Sequence, residues 1–153
     1  MTALAQNLGS TYGAKFGTVQ TYKVGAGAHI YRFGTVALQN DGYLYPAIED
    51  ISDANKQIVV GVAQEEMDNS SGASGAKNCR VRREGRIKRM YAGSATQTVV
   101  GKLACIQDDQ TVQLYGVSTT QVVMGRITEI FTTSSVYVDM IQQHQRLATD
   151  AND

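Results

Sequence analysis

Apolar and polar positions change over in short runs along this chain, and each run is closed by Gly, Asn, Asp or Ser. Residues 30–39, IYRFGTVALQ, end at Asn40-Asp41-Gly42 and are followed by YLYPAI. Asp and Gly tolerate the positive φ of tight turns, so the pattern predicts a hairpin. Pro46 lacks an N–H and marks a strand end or a sheet edge. In residues 57–67, QIVVGVAQEEM, the apolar run through Val59, Val60, Val62 and Ala63 is too continuous for a ribbon wetted on one face, which predicts a central strand. Residues 68–78, DNSSGASGAKN, are small and polar, and are expected to be a mobile surface connection with nothing to bury. CRVRRE, Gly85 and RIKRMY then resume the strand pattern.

The second half repeats the first. VVGKLACIQDDQTVQL (99–114) orders a Gly, an apolar stretch and an acidic turn as RFGTVALQNDGYLYPA does. VVMGRITEI (122–130) matches VVGVAQEE, and SSVYVDMI (134–141) takes the place of CRVRRE. Gly34 and Gly101 lie 67 residues apart, Gly61 and Gly125 lie 64 apart. Two related strand units fused around one core account for this better than a solenoid, which needs about three repeats or more.

Composition agrees. Fifteen Gly, one Pro, no Trp and abundant Val, Thr, Ile and Tyr favour many short strands. The fold expected is all-β: a compact β-sandwich or barrel of two related strand units at residues 21–141, preceded by an extended N-terminal arm at 1–20 and followed by a polar tail at 142–153. The arm carries too few apolar residues to fold alone. It is either a frayed terminus or a tether that orders against a neighbour. Lys plus Arg and Asp plus Glu are 14 each, so no net charge draws the chain to a polyanion. Cys79 and Cys105 lack CxxC or Cys/His spacing and are expected as reduced thiols. MTALAQNLGSTYGAK has no basic segment followed by an apolar one, and no stretch is long and apolar enough to span a bilayer, so a soluble, unexported chain is expected.

Residues 79–90, CRVRREGRIKRM, hold six of the chain's 14 Lys and Arg. If residues 57–67 pair antiparallel with 79–84 about a centre near Ala73, Glu66 faces Arg80, and Glu65, Glu66, Asp68 and Glu84 partly neutralise the run. Tyr91 is the only aromatic nearby in sequence, whereas single-stranded nucleic acid needs uncompensated charge and stacking platforms. The run therefore reads first as a salt-bridged, solvated strand face, next as a protein interface and last as a nucleic-acid patch. The candidate protein-contact residues are Leu4, Leu8, Tyr12 and Phe16 of the arm with Arg80, Arg82, Arg83, Arg86 and Lys88.

Little points to chemistry. His29 and His144 stand apart from each other and from cysteine, so neither predicts a metal site. Asp108-Asp109 and Glu65-Glu66 are adjacent carboxylates, which in a strand point to opposite faces. VGAGAH (24–29) lacks the rest of a phosphate-binding loop, and no GxSxG elbow occurs. No enzyme, cofactor or small-molecule ligand is expected.

The order VVGVA (59–63), VRREG (81–85), VVGKLA (99–104), VMGRI (123–127) and VYVDM (136–140) resembles the small head decoration, or cement, proteins of tailed bacteriophages. Those relatives carry a VGVA strand, a V-x-x-E-G strand, a later G-x-L strand and a closing VGxA-like strand. The chain departs in Arg126, where a small or apolar residue is expected, and in its basic weight at 80–89. The resemblance implies a non-enzymatic virion protein made in the host cytoplasm. Such a protein sits on the capsid exterior as a homotrimer and clamps neighbouring major capsid subunits, without nucleic-acid or membrane partners. A different class, the sugar- or receptor-binding module of a virion fibre or spike, would instead use Tyr43, Tyr45 and Tyr115 as a stacking surface.

Overall fold

A computed structural model describes residues 19–49, 57–116 and 121–140. The arm residues Leu4, Leu8, Tyr12 and Phe16 and the tail 142–153 lie outside the described residues. The protein is all-β. Its strands are β1 (Val19–Lys23), β2 (His29–Ile30), β3 (Thr35–Leu38), β4 (Leu44–Pro46), β5 (Ile58–Ala63), β6 (Met67–Asp68), β7 (Asn78–Arg82), β8 (Arg86–Tyr91), β9 (Leu103–Ile106), β10 (Thr111–Leu114), β11 (Val123–Thr132) and β12 (Ser135–Met140). A five-stranded sheet runs β1-β7-β5-β3-β4, β10-β8-β12-β11-β9 close into a barrel, and β2 pairs with β6. Among the described residues no helix is long and apolar enough to cross a membrane.

The β3/β4 hairpin forms about Asn40-Asp41-Gly42, with Leu38 facing Leu44, and Pro46 ends the edge strand β4. β5 lies mid-sheet between β7 and β3. Residues 30–39 are not one strand: a turn at Arg32-Phe33 separates β2 from β3, with Phe33 at φ 67°. The basic strand also pairs differently from the sequence reading. Val62 faces Arg82, Ala63 faces Val81, and Gln64 N–H donates to Arg80 O, so Gln64, not Glu66, stands opposite Arg80. β5 stops at Ala63, where the chain leaves it to form β6 against β2, and its pairs with β7 centre on Gly72, one residue before Ala73.

The two halves share one strand order and register; the second closes into a barrel, while the first, called the first barrel below, is a sheet whose end strands meet at a single bridge. β1, β3, β4, β5 and β7 correspond to β8, β9, β10, β11 and β12. Val19–Arg82 in the first half matches Arg86–Asp139 in the second, and Tyr22–Cys79 matches Arg89–Val136. Val62–Arg82 matches Arg126–Asp139, and Val36–Gly61 matches Ala104–Gly125. Even the closing seam recurs, as the parallel bridge Val24–Leu44 and the parallel pair Tyr91–Val112. One correspondence differs from the sequence repeat. Phe33 N–H donates to Ala63 O and Ala63 N–H to Gly34 O, as Gly101 N–H donates to Ile127 O and Ile127 N–H to Lys102 O. The counterpart of Gly101 is therefore Phe33, not Gly34.

Packing explains the composition of each strand. Val24, Ile30, Val36, Leu44, Val60, Ala63, Cys79 and Val81 fill the first barrel. A bulge at Gly61 turns Val59 and Val62 to the opposite face, where with Ala37 and Ala47 they join the core of the second barrel around Ile106, Val112, Met124, Ile127 and Val138. Both faces of β5 are thus dry. The outer face of β11 is solvated, so Arg126, the counterpart of Val62, is exposed and donates to Gly101 O at 2.9 Å; that is why it departs from an apolar pattern.

The 68–78 segment does bury something, contrary to its polar sequence. Asn69 is buried and its side-chain amide donates to the carbonyls of Gly25 (2.9 Å) and Ala73 (3.0 Å), while Gly75 N–H donates to Val24 O. Instead of a loose connection, the segment is a hydrogen-bonded cover over the end of β1.

Cys79 and Cys105 are reduced, buried thiols. Burial, reinforced by Glu65, pushes the Cys79 thiol up from 9.0 to about 11. The folded form therefore holds the proton more tightly, and this contribution to stability is present below pH 9 and lost as pH rises through about 11. In the native protein at pH 8 a disulfide reagent should find neither thiol. For Cys79 the raised pKa by itself lowers the thiolate fraction about 100-fold. Two equivalents should be released on unfolding; rapid native titration of either thiol would contradict the burial described.

Candidate functional site

The basic run splits by strand alternation. Arg80 is exposed, donates from Nη2 to Glu65 Oε2 at 3.3 Å, and its main-chain N–H also donates to Glu65. That contact holds the Glu65 carboxyl below its ordinary range. Glu66 turns instead to His29 Nε2, 2.8 Å away. Arg82 donates to Glu84 O and Arg83 to the Gln20 side chain on β1. On β8, Arg86 pairs with Glu129 at 3.3 Å and lies 5.1 Å from the centre of the Tyr137 ring. Lys88 Nζ lies 4.5 Å from the centre of Phe131. Sheet pairing thus brings two aromatics to a run that in sequence has only Tyr91 beside it. Glu129 and Asp139 stand among them, so this face alternates in charge.

Arg89 behaves otherwise. Ile87, Arg89 and Tyr91 occupy the less exposed alternate positions of β8, and Arg89 is 7% exposed. The sequence reading of the whole run as a solvated strand face therefore fails at Arg89. Its Nε donates to Thr35 Oγ1 (2.8 Å), Nη2 to Phe33 O (2.7 Å) and Nη1 to Lys88 O (3.2 Å). Thr35 N–H in turn donates to Asp109 O at 2.7 Å. The guanidinium therefore ties the second barrel to the Phe33–Thr35 turn of the first. Burial pulls its pKa down to about 10, opposed by Asp109 and Asp108, and it stays charged at neutral pH. The Asp109 carboxyl is pushed up by burial and by Asp108, against the pull of Arg89.

Beside this staple lies a groove of about 490 Å³, lined by Tyr31, Arg32, Phe33, Gly34, Arg89, Asp109 and Gln110. Tyr31 and Phe33 are 56% and 53% exposed. Tyr31 stacks on His29 with ring centres 4.3 Å apart, and the Arg32 guanidinium sits 4.6 Å from the centre of Phe33. A desolvated cation, a carboxylate with a displaced pKa and a concave aromatic rim in one place mark a candidate site. Sequence reasoning missed it because its parts come from three separate runs. The repeat read from sequence set Gly34, not Phe33, against Gly101, so it gave no signal there.

The tyrosines named from sequence are divided between the two halves. Tyr45 presses on Gly25 and its hydroxyl donates to Asp41 at 2.7 Å, while Tyr43 lies against Gly75. Tyr115 is exposed on the second barrel. Among the described residues no three His, Cys, Asp or Glu side chains gather as a metal-binding group. No protein-family model matches the chain, and no curated protein matches it either.

Proposed function

We propose that the protein is a structural component of a phage virion that binds the outside of the head and clamps neighbouring major capsid subunits. The observation that supports this best is the edge of β1. Val19–Lys23 pairs along its length only with β7 among the described residues, and residues 1–18 precede it in the sequence. An unpaired strand edge accepts or donates a strand through main-chain hydrogen bonds, with little demand on side-chain identity. Arg80, Arg82, Arg83, Arg86 and Lys88 flank that edge and the adjoining barrel face as rim contacts. A double barrel in which residues of the first half help to fill the core of the second is a stiff body for such a clamp, and repetition over a shell turns weak contacts into firm attachment.

The test is binding to expanded heads. Deletion of residues 2–18 should leave a folded trimer or monomer with unchanged circular dichroism that no longer co-sediments with heads, while the intact chain does so as a trimer by light scattering. Undiminished sedimentation of the truncated chain would remove the arm from the mechanism. Failure of the intact chain to bind heads would remove the function itself.

A further inference from the structure

We propose that the groove at the junction of the two barrels binds a neutral saccharide, stacked on Phe33 and Tyr31 and hydrogen-bonded through Asp109, Gln110 and Arg89. The backbone supplies the first reason. Phe33 has φ 67° and its counterpart in the second barrel, Gly101, has φ 87°. A side chain in the left-handed region is strained, and glycine is the usual solution. The repeat uses that solution; the first barrel does not. The ring gains little from packing in return, since it is more than half exposed. Strain kept at an exposed aromatic beside a concave site points to a ligand.

The lining selects the ligand's chemistry. His29 covers one face of Tyr31 and Arg32 one face of Phe33, and the other face of each exposed ring is left for the C–H side of a pyranose. Asp109 supplies acceptors, Gln110 an amide of both kinds, and Arg89 has three of its five N–H groups engaged by protein oxygens. Of the lining charges, Arg32 and Arg89 meet one carboxylate, Asp109, and Asp108 acts on Arg89 from beside the groove, so the local charges nearly cancel and give little reason to favour an anion. A peptide strand finds no free edge there: the N–H groups of Phe33, Gly34 and Thr35 already donate to Ala63, Tyr31 and Asp109. This inference goes beyond attachment to a capsid and does not depend on it.

Titration of the full-length protein with maltotetraose, cellotetraose, mannotetraose and chitotetraose tests it, by calorimetry and by amide chemical shifts. At least one should bind with shifts centred on residues 31–34 and 109–110. Phe33→Gly should weaken that binding at least tenfold and yet raise Tm by about 2–4 °C, the response of a chain this size to relieved left-handed strain. Asp109→Asn should weaken binding about fivefold or more with the shifts still centred there. Silence of the whole panel overturns the proposal, as does binding that survives Phe33→Gly. A fall in Tm on Phe33→Gly overturns it too, because the ring would then be a packing residue. If the panel is silent while Phe33→Gly abolishes attachment to heads, the groove belongs to a protein partner and the saccharide is excluded.

Discussion

Gly125→Ala is expected to destabilise the protein by about 3–4 kcal/mol, and Gly61→Ala by a similar amount, out of the 5–15 kcal/mol typical of a domain. A Cβ on Gly61 would meet the carbonyl oxygen of Arg82, and a Cβ on Gly125 that of Asp139, each far inside van der Waals contact. Both obstacles are main chain on the facing strand, so no rotamer change relieves them. The two strands would have to part at the bulge that lets β5 and β11 curve around their barrels. Gly42→Ala is the control. Its φ of 81° is left-handed but nothing lies within 4 Å of the added carbon, so only backbone strain of about 1 kcal/mol is at stake. Urea midpoints should fall steeply for the first two variants and slightly for the third. Equal shifts in all three would show that the close approach of strands does not set the requirement, since Gly125 has no left-handed φ.

Arg89→Met should cost about 3–5 kcal/mol, the loss found when one side of a buried, hydrogen-bonded charge network is removed. It strands Phe33 O and Thr35 Oγ1 in a dry junction and leaves Asp109 without its nearest opposing charge. Arg89→Lys should rescue little, because a single ammonium cannot span three acceptors set out for a planar fork. Thr35→Val alone should cost about 1–2 kcal/mol. Combined with Arg89→Met it should add almost nothing, since both variants break the same bond. Strict additivity of the two would mean that the junction is held by its apolar contacts alone.

Much of the architecture is legible in the residues alone. Val59 to Ala63 is apolar at successive positions, and only a strand dry on both faces supports that. The Asn40-Asp41-Gly42 turn and Pro46 mark one hairpin and one edge. The repeat of Gly61 at Gly125 shows because backbone crowding admits one residue type, so the constraint survives in the sequence. Errors fall where the constraint is spread over distant residues. Matching Glu66 to Arg80 centres the pairing on Ala73, one residue late, and misses that β6 diverts the chain to β2 and leaves Arg80 to Glu65. Asn69 reads as solvent-facing loop, since nothing local reveals that three carbonyls converge on its amide.

The candidate site is less legible still. Arg80, Arg82, Arg86 and Lys88 are exposed and Arg83 is half-buried, but Arg89, next in the same run, points inward and joins the halves. Composition treats these side chains alike; alternation along β8 separates them, and only docking of the first barrel supplies Arg89 with acceptors. Short strands in two related sets, built around glycines that admit no substitute, are written into the order of residues, because periodicity and backbone sterics act between near neighbours. Which charge is buried, which aromatic stays exposed in a strained turn, and where the two barrels meet at a groove emerge only when the chain packs. Those outcomes depend on contacts between runs some 50 to 80 residues apart, where chain connectivity imposes nothing and packing chooses.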